Sequence, residues 1–364
     1  MARSGAVKTL DELLRRHARP AGELAVPEPE RGEGVLRCVA CAHRCLLKPG
    51  RAGICKVRFN EGGQLFVPFG YVAGGLAVDP IEKKPFFHVL PGEGALSFGM
   101  LGCDLHCPYC QNWQTSQTIR DERAGSPILP IGPEQIVEAA ARHGTRVVVS
   151  TYNEPLITAE WAAAVFDRAR ERGMLTGFVS NGNATDEVLD FLRPRMDLMK
   201  IDLKGFDDAA YRKLGTTLDR VLAGIRGAVE RGFWVEIVTL VVPGFNDDDE
   251  QLRAIARFIA GLSRDIPWHV TAFHPDYRMQ DRGATPPSTL MRAWQIGRDE
   301  GLRFVYTGNL RTGGRTESTW CPSCDALLVE RTGWRVRIVE LRDGRCGRCG
   351  TTVPGVFAVP REGR

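Results

Sequence analysis

From about Gly94 onward the chain alternates short apolar runs with amphipathic stretches. "ALSFGML", "RVVVST", "LTGFVS", "MDLMKIDL", "WVEIVTLVV" and "HVTAF" read as strands, and "RFVYT" is a seventh candidate. The stretches between them, 134–143, 158–172, 185–193, 217–231, 247–262 and 289–300, carry helical spacing. Pro133 and Asp247 fit helix starts, and Gly144, Gly173, Gly232 and Gly261 fit helix ends. Strands that are apolar nearly throughout predict a parallel sheet covered on both faces. Each run then ends in a polar or glycine-rich loop. The first enters three cysteines. The others enter "TYNEP" (151–155), "SNGN" (180–183), "DLKG" (202–205), "VPGFND" (242–247) and "FHPD" (273–276). Chemistry at every C-terminal strand end is the habit of a barrel, whereas a doubly wound sheet gathers it at one switch point. The pattern therefore predicts an α/β fold with an open, partial (β/α)6 TIM-type barrel.

The flanks read differently. Before the barrel come a short helical stretch near Leu10–His17, a Pro/Glu-rich linker, a Gly/Arg-rich segment to about Asn60, and the alternating "GQLFVPFGYVAGGLAV". After Gly308 the alternation stops. Residues 315–364 hold a strand-like pair, "ALLVER" and "WRVRIVEL". The expected division is 1–93, an N-terminal cysteine-rich region; 94–310, the barrel; and 311–364, a small C-terminal module.

Eleven cysteines change the picture more than the bulk composition does. They fall as Cys38/Cys41/Cys45/Cys55, Cys103/Cys107/Cys110 and Cys321/Cys324/Cys346/Cys349. An odd number in short clusters argues for metal ligation over a disulfide framework. No apolar run approaches the roughly 20 residues that span a bilayer, and the N-terminus lacks a signal-peptide core. A cytoplasmic protein with no membrane partner is expected. A net charge of +4 is weak footing for nucleic acid, which is not expected as a partner. Lysine is scarce, with 8 Lys among 48 basic residues. Half of those lysines lie in "DPIEKKP" (Lys83, Lys84) and "MKIDLK" (Lys200, Lys204). Such economy singles them out, since an ammonium and a guanidinium are not interchangeable. Glu82, Lys83 and Lys84 are expected to line the barrel mouth.

The central cysteines stand in "GMLGCDLHCPYCQNW" as Cys103-x3-Cys107-x2-Cys110, with no fourth nearby. Three thiolates can hold three irons of an iron–sulfur cluster and leave the fourth open, as catalytic metal sites keep an open position. With this spacing at the first strand end, and Tyr109 before the last cysteine, the chain resembles the radical S-adenosylmethionine (SAM) enzymes. That resemblance implies a [4Fe-4S] cluster on Cys103, Cys107 and Cys110. It also implies SAM bound at the open iron and reductive cleavage to a 5′-deoxyadenosyl radical. Residues 96–275 resemble the pyruvate formate-lyase activating enzymes in particular. There a Gly-Gly-Glu loop ends the second strand; here it reads Tyr152-Asn153-Glu154, and Glu154 takes the role toward the SAM amino group. Where the activases have Asp-Thr before the third-strand loop, this chain has Val179-Ser180. The resemblance assigns Lys204 and His274 to the SAM carboxylate or ribose. It adds Tyr109, Asn153, Ser180, Asn181 and Asp202 to the cofactor-binding set. Gln111 and Asn112 follow the last cluster cysteine and are expected to line the site.

A resemblance over about residues 36–357 is more specific. "DPIEKKPFFHVLPG", the cysteine run, "TYNEP", "YTGN" and both flanking cysteine groups look like the radical SAM enzyme of the AmmeMemoRadiSam system. Memo-like and AMMECR-like proteins are its implied partners, alongside an external electron donor such as flavodoxin or ferredoxin. Cys321-x2-Cys324 and Cys346-x2-Cys349 form a zinc-ribbon pattern, so zinc is expected there, with rubredoxin-like iron the rival. Cys38, Cys41, Cys45 and Cys55 suit either zinc or a second Fe–S cluster. Zinc is favoured, because the extra clusters of glycyl-radical activases follow the radical motif and this group precedes it.

The expected function is a radical SAM oxidoreductase that abstracts hydrogen from a substrate, with a partner protein and glycyl-radical activation the sharpest form. Radical modification of a small molecule or RNA base is the alternative. A metal-stapled interaction scaffold is the reading from another class.

Overall fold

The computed structural model describes residues 10–359. The outer ends of the two expected flanking modules, 1–9 and 360–364, lie outside the described residues. The centre is one eight-stranded sheet, β1 (Ala77–Pro80), β2 (Gly94–Phe98), β3 (Val147–Ser150), β4 (Leu175–Ser180), β5 (Leu198–Asp202), β6 (Trp234–Val241), β7 (Trp268–Ala272) and β8 (Val305–Gly308). The strands lie side by side in chain order. β1 is antiparallel to β2, and every later pair is parallel. An order with no reversal makes the wall of an open barrel, as the strand-end loops predict, with "RFVYT" supplying the last strand.

Helices α1 (Pro133–Arg142), α2 (Ala159–Glu171), α3 (Asp186–Leu192), α4 (Asp208–Leu214), α5 (Leu218–Glu230), α6 (Asp249–Leu262) and α7 (Pro287–Asp299) connect the parallel strands. Their starts follow cap chemistry. Pro133 sits at the first helical position, Thr185 accepts from Val188 N at 3.2 Å, and Asp248 accepts from Gln251 N at 2.9 Å. Three expectations shift. The helix start placed at Asp247 falls one residue on, because Asp248 is the cap and Asp247 accepts from Gly244 N in the turn before it. Gly261 lies inside α6 and caps nothing, since the cap role needs a left-handed backbone outside the last turn. The short α4 was not expected; it rests on an Asp207 cap and a left-handed Gly215 and carries little amphipathic signal of its own.

The strands divide the interior as a pleat requires. Val148, Phe178 and Met199 join the large core under the helices, with Trp161 and Phe166 of α2. Ala95, Val147, Val149, Leu175 and Leu198 face a second cluster with Ile81, Phe86, Val89 and Leu90. The "DPIEKKPFFHVLPG" segment thus closes one end of the barrel from inside. There Glu236 accepts from Phe87 N at 3.0 Å, His88 N at 2.9 Å and Trp234 Nε1 at 3.0 Å, and meets His269 Nε2 at 2.7 Å.

The N-terminal cysteine-rich segment folds as small antiparallel sheets, one of them Ala25–Pro27, Leu36–Cys38 and Leu46–Leu47. Its apolar residues join the large core. Arg58 and Glu160 of α2, each 1% exposed, fasten it with paired contacts of 2.6 and 2.7 Å. The C-terminal module pairs Leu327–Thr332 with Thr319–Trp320 and Arg335–Ile338. It packs on Phe304 and Tyr306 at the β8 edge. Arg331, 1% exposed, donates to Thr319 Oγ1 at 2.8 Å and Phe87 O at 2.7 Å. Among the described residues no helix is long and apolar enough to cross a membrane.

Candidate active site

The loops at the C-terminal strand ends converge on one recess. Cys103, Cys107 and Cys110 line it with Asn153, Glu154, Ser180, Asn181, Asp202 and Lys204. It shares walls with a cavity of about 380 Å³ at the barrel mouth, lined also by Tyr109, Gln111, Asn112, Lys83, Lys84 and Lys200.

Each loop is held by chemistry that its own sequence segment only half reveals. The "SNGN" loop passes close under α5: a Cβ on Gly224 would lie 2.1 Å from Gly182 O, and one on Gly182 would meet Ile201 Cγ2 at 2.6 Å. Only glycines permit this approach, and Gly182 also takes φ +74°. The "DLKG" loop is pinned by Tyr211 Oη, which accepts from Lys204 N at 2.8 Å. Asn246 of "VPGFND" donates to Lys204 O at 2.9 Å. Tyr152, where the activase pattern has glycine, adopts φ +71° without being glycine. Lys84 Nζ donates to its hydroxyl at 2.9 Å and lies 4.8 Å from its ring centroid, and Thr115 Oγ1 donates to its carbonyl at 3.1 Å.

The carboxylate of Glu154 is buried at the recess wall. It accepts from Ser180 Oγ at 2.8 Å, Asn181 N at 2.7 Å and Leu156 N at 3.1 Å. Burial, with Asp104 adding to it, pushes Glu154 up to about 8 despite these bonds. A cation beside it would relieve that cost, so the environment suits an ammonium. Asp202 sits between two lysines, bonded to Lys200 and to Lys204 at 3.2 Å. Burial alone would raise it; the two ammonium groups hold it at about 2.

Burial pushes the Cys107 thiol up to about 12 and raises Cys103 and Cys110 as well. Such thiols are poor free nucleophiles and ionise when they bind a cationic metal centre. Tyr109 is buried, edge-on to Phe245 at 5.4 Å, and its hydroxyl has no hydrogen-bond partner among the described residues. An orphaned polar atom on a cavity wall is what a polar ligand satisfies. The donor set therefore fits a three-thiolate cluster with an adjoining zwitterionic ligand.

Two expected residues stand elsewhere. His274 is exposed, its Nδ1 3.4 Å from Pro275 O, and it lines neither the recess nor the mouth cavity. Glu82 is buried away from the mouth, accepting from Gly92 N at 3.0 Å and facing Arg331 Nε at 3.4 Å. Its neighbours Lys83 and Lys84 do reach the mouth, both bonded to Asp79. Sequence reasoning passed over Asp104, which is fully buried and accepts from Asn181 Nδ2 at 2.7 Å and Asn183 Nδ2 at 2.8 Å. A charged residue directly after a cluster cysteine was the available signal. Asn309 of "YTGN" also lines the mouth, and its Nδ2 donates to Ala272 O at 3.0 Å.

In the C-terminal module Cys321, Cys324, Cys346 and Cys349 gather their sulfurs within 4.8 Å of one another, a set able to hold one metal ion.

Residues 99–259 match the Radical SAM superfamily. The chain is 39% identical over 322 residues to "Uncharacterized protein MJ0808" of Methanocaldococcus jannaschii, covering 87% of this chain and 95% of that protein. It is 25% identical over 234 residues to the pyruvate formate-lyase 1-activating enzyme of Escherichia coli (strain K12), covering 59% of this chain and 93% of that enzyme. Among solved structures, a radical SAM methyltransferase from Sphaerobacter thermophilus is similar at 15% identity and a TM-score of 0.48, covering 80% of this chain and 77% of that one. The cysteine trio on the first barrel loop, the parallel barrel wall behind it and the family match over residues 99–259 agree: the chain carries a radical SAM superfamily domain, and it is similar to the pyruvate formate-lyase activating enzymes.

Proposed function

We propose that the chain binds a [4Fe-4S] cluster on Cys103, Cys107 and Cys110 and SAM in the adjoining recess, and turns over a substrate that enters by the lysine-lined mouth. When bound, the cluster and SAM supply a one-electron reductive cleavage of the sulfonium and a carbon radical that abstracts hydrogen. The chain's own residues do the rest. Glu154 accepts from the SAM ammonium, and Ser180 and Asn181 fix its carboxylate for that purpose. Lys204, aimed by Asp202, holds the SAM carboxylate. Tyr109 and Asn153 complete the wall, with Met100 N donating to Asn153 Oδ1 at 2.9 Å to tie it to the cysteine loop. The observation that carries the reading is that Glu154, Lys204 and the three cysteines line one recess.

The reading divides the chain into 1–93, 94–310 and 311–364, with the barrel as the catalytic part and the C-terminal four-cysteine module as a zinc ribbon that docks a partner. The reading places the protein in the cytoplasm, with an external reductant such as flavodoxin or ferredoxin. Motif resemblance supports membership of the AmmeMemoRadiSam system, with Memo-like and AMMECR-like proteins as partners. A protein substrate, activated as a glycyl radical, is the leading form. A small anionic substrate is the second reading, and one observation favours it. Four lysines reach the mouth, and among the described residues their carboxylate partners are Asp79 and Asp202, a surplus of two positive charges by that count.

The test is anaerobic turnover of the reconstituted protein with SAM and a strong reductant, quantifying 5′-deoxyadenosine against a Cys107→Ala control. Product in both proteins, or in neither when partner proteins are also supplied, would sink the reading. A doublet in the electron paramagnetic resonance spectrum of a partner separates protein from small-molecule substrates.

A further inference from the structure

The three cysteine sets differ in how their sulfurs are spaced. Cys321, Cys324, Cys346 and Cys349 are, among the described residues, the one group of three or more metal-ligating side chains whose ligand atoms all lie within 4.8 Å of one another. Two of their sulfur pairs are 3.6 Å apart. One zinc at about 2.3 Å from each of four tetrahedral sulfurs holds them roughly 3.8 Å apart, so this set is closed around a single ion. Cys103, Cys107 and Cys110 are spread more widely around their recess and do not form such a group. Thiolates that each hold a different iron of a four-iron cluster need not crowd together as the ligands of one ion do.

Cys38, Cys41, Cys45 and Cys55 follow the second pattern. No three of their sulfurs lie within 4.8 Å of one another. Yet the four surround one place. Cys38 N donates to Cys45 O at 2.9 Å, so the strand holding Cys38 and the segment holding Cys45 are paired. Arg44 N, next to Cys45, donates to Cys41 O at 3.0 Å, and Ile54, next to Cys55, donates its N–H to Cys45 Sγ. Cys38, Cys41 and Cys55 are buried. Two N–H groups already point at the sulfurs: Arg58 Nε donates to Cys38 Sγ at 3.2 Å, and Ile54 N donates to Cys45 Sγ at 3.4 Å. Donors aimed at ligand sulfurs offset the negative charge of a thiolate-held cluster. Arg58 keeps that position because Glu160 grips the rest of its guanidinium.

We infer that Cys38, Cys41, Cys45 and Cys55 hold a second, four-iron iron–sulfur cluster, and that the two widely spaced cysteine sets of this chain bind clusters while the compact C-terminal set binds a single ion. The favour that the sequence lent to zinc came from the position of the group along the chain, which says nothing about sulfur spacing. The site lies next to the radical recess. Ala42 N donates to Asn183 O at 2.8 Å, and His43 Nε2 is 3.9 Å from Asp104, which also meets Asn181, Asn183 and Cys103 Sγ. This inference does not depend on SAM chemistry.

The experiment is metal and sulfide analysis of the full chain, reconstituted anaerobically with iron, sulfide and zinc together. The wild type is expected to hold about eight iron, eight sulfide and one zinc per chain. A Cys103→Ala/Cys107→Ala/Cys110→Ala variant is expected to keep about four iron, four sulfide and charge-transfer absorption near 400 nm. A wild type with about four iron and two zinc, and a colourless variant with two zinc, overturns the inference. So does a variant that takes neither metal at the N-terminal site. Should the triple variant fail to fold, a Cys38→Ser/Cys41→Ser variant decides. Loss of half the iron with zinc retained supports the cluster, and loss of one zinc with iron retained overturns it.

Discussion

Asp104, the residue after the first cysteine of the radical-site trio, accepts a hydrogen bond from Asn181 Nδ2 at 2.7 Å and so locks the first strand-end loop to the third. Asn181 N in turn donates to Glu154 Oε2 at 2.7 Å. The chain from cysteine loop to Glu154 is therefore continuous. Asp104→Ala is expected to leave the fold intact and lower cluster retention or SAM cleavage by about 10- to 100-fold, the usual cost of losing a group that orients metal ligands. Iron content and 5′-deoxyadenosine formation in the same preparation measure it, and unchanged values in both count against the lock.

Glu154→Gln keeps the shape of the side chain and removes its charge. SAM binding should weaken by about 10- to 100-fold, the loss of one charge-assisted hydrogen bond, while cluster absorption stays at the wild-type level. Equilibrium binding of SAM to the loaded protein reads the effect. An unaltered affinity would remove Glu154 from the ligand set.

Arg58 and Glu160 are a fully buried pair, so the cost of breaking it differs from the cost of replacing it. Arg58→Met should destabilise the protein by about 3–5 kcal/mol, because Glu160 is left charged and buried. Arg58→Met/Glu160→Leu should recover much of that loss. Denaturation of the three variants side by side checks the pattern; a double variant no better than Arg58→Met refutes it.

His88 gives the fold an acid-sensitive point behind the C-terminal module, where its partner Tyr306 packs in one cluster with Cys321 and Cys346. Its Nε2 is 2.7 Å from Tyr306 Oη and its Nδ1 is 2.6 Å from Pro354 O. Burial lowers its pKa to about 4. The folded state prefers the neutral ring, so the contribution is complete above the unfolded value of about 6.5 and is lost as pH falls from there toward 4. The shift corresponds to about 3 kcal/mol. A His88→Gln variant should show a flatter loss of thermal stability between pH 7 and pH 4.5 than the wild type. Parallel pH profiles would falsify this role.

The compact four-cysteine set predicts a separable metal. Cys346→Ser should remove one zinc per chain, in line with a structural site of four thiolates, and open the segment from Thr319 to Val353 to proteolysis. The iron of the radical site should be unchanged. Loss of both metals together would mean that the module is needed to build the barrel.

The sequence by itself determined the barrel wall, because a parallel strand buried on both faces must be apolar along its length, and "RVVVST" and "LTGFVS" show that without reference to any neighbour. It placed the start of α1 at Pro133 and the ends marked by Gly144, Gly173 and Gly232, since such signals act on backbone within a turn. It located Cys103, Cys107, Cys110, Glu154 and Lys204 at strand ends, and these do meet in one recess. What the tertiary structure decided depends on partners far apart in the chain. Asp104 matters through Asn181 and Asn183, and Glu82 turns from the mouth because Arg331 faces it 249 residues away. His274 shares the strand-end position of the others, but its loop leaves it in solvent. The cysteine sets make the point most sharply. The paired spacing of the C-terminal cysteines already read as a zinc ribbon, but the spacing of Cys38, Cys41, Cys45 and Cys55 suited either one ion or a cluster, and the distances between sulfurs exist only once the backbone has folded around them.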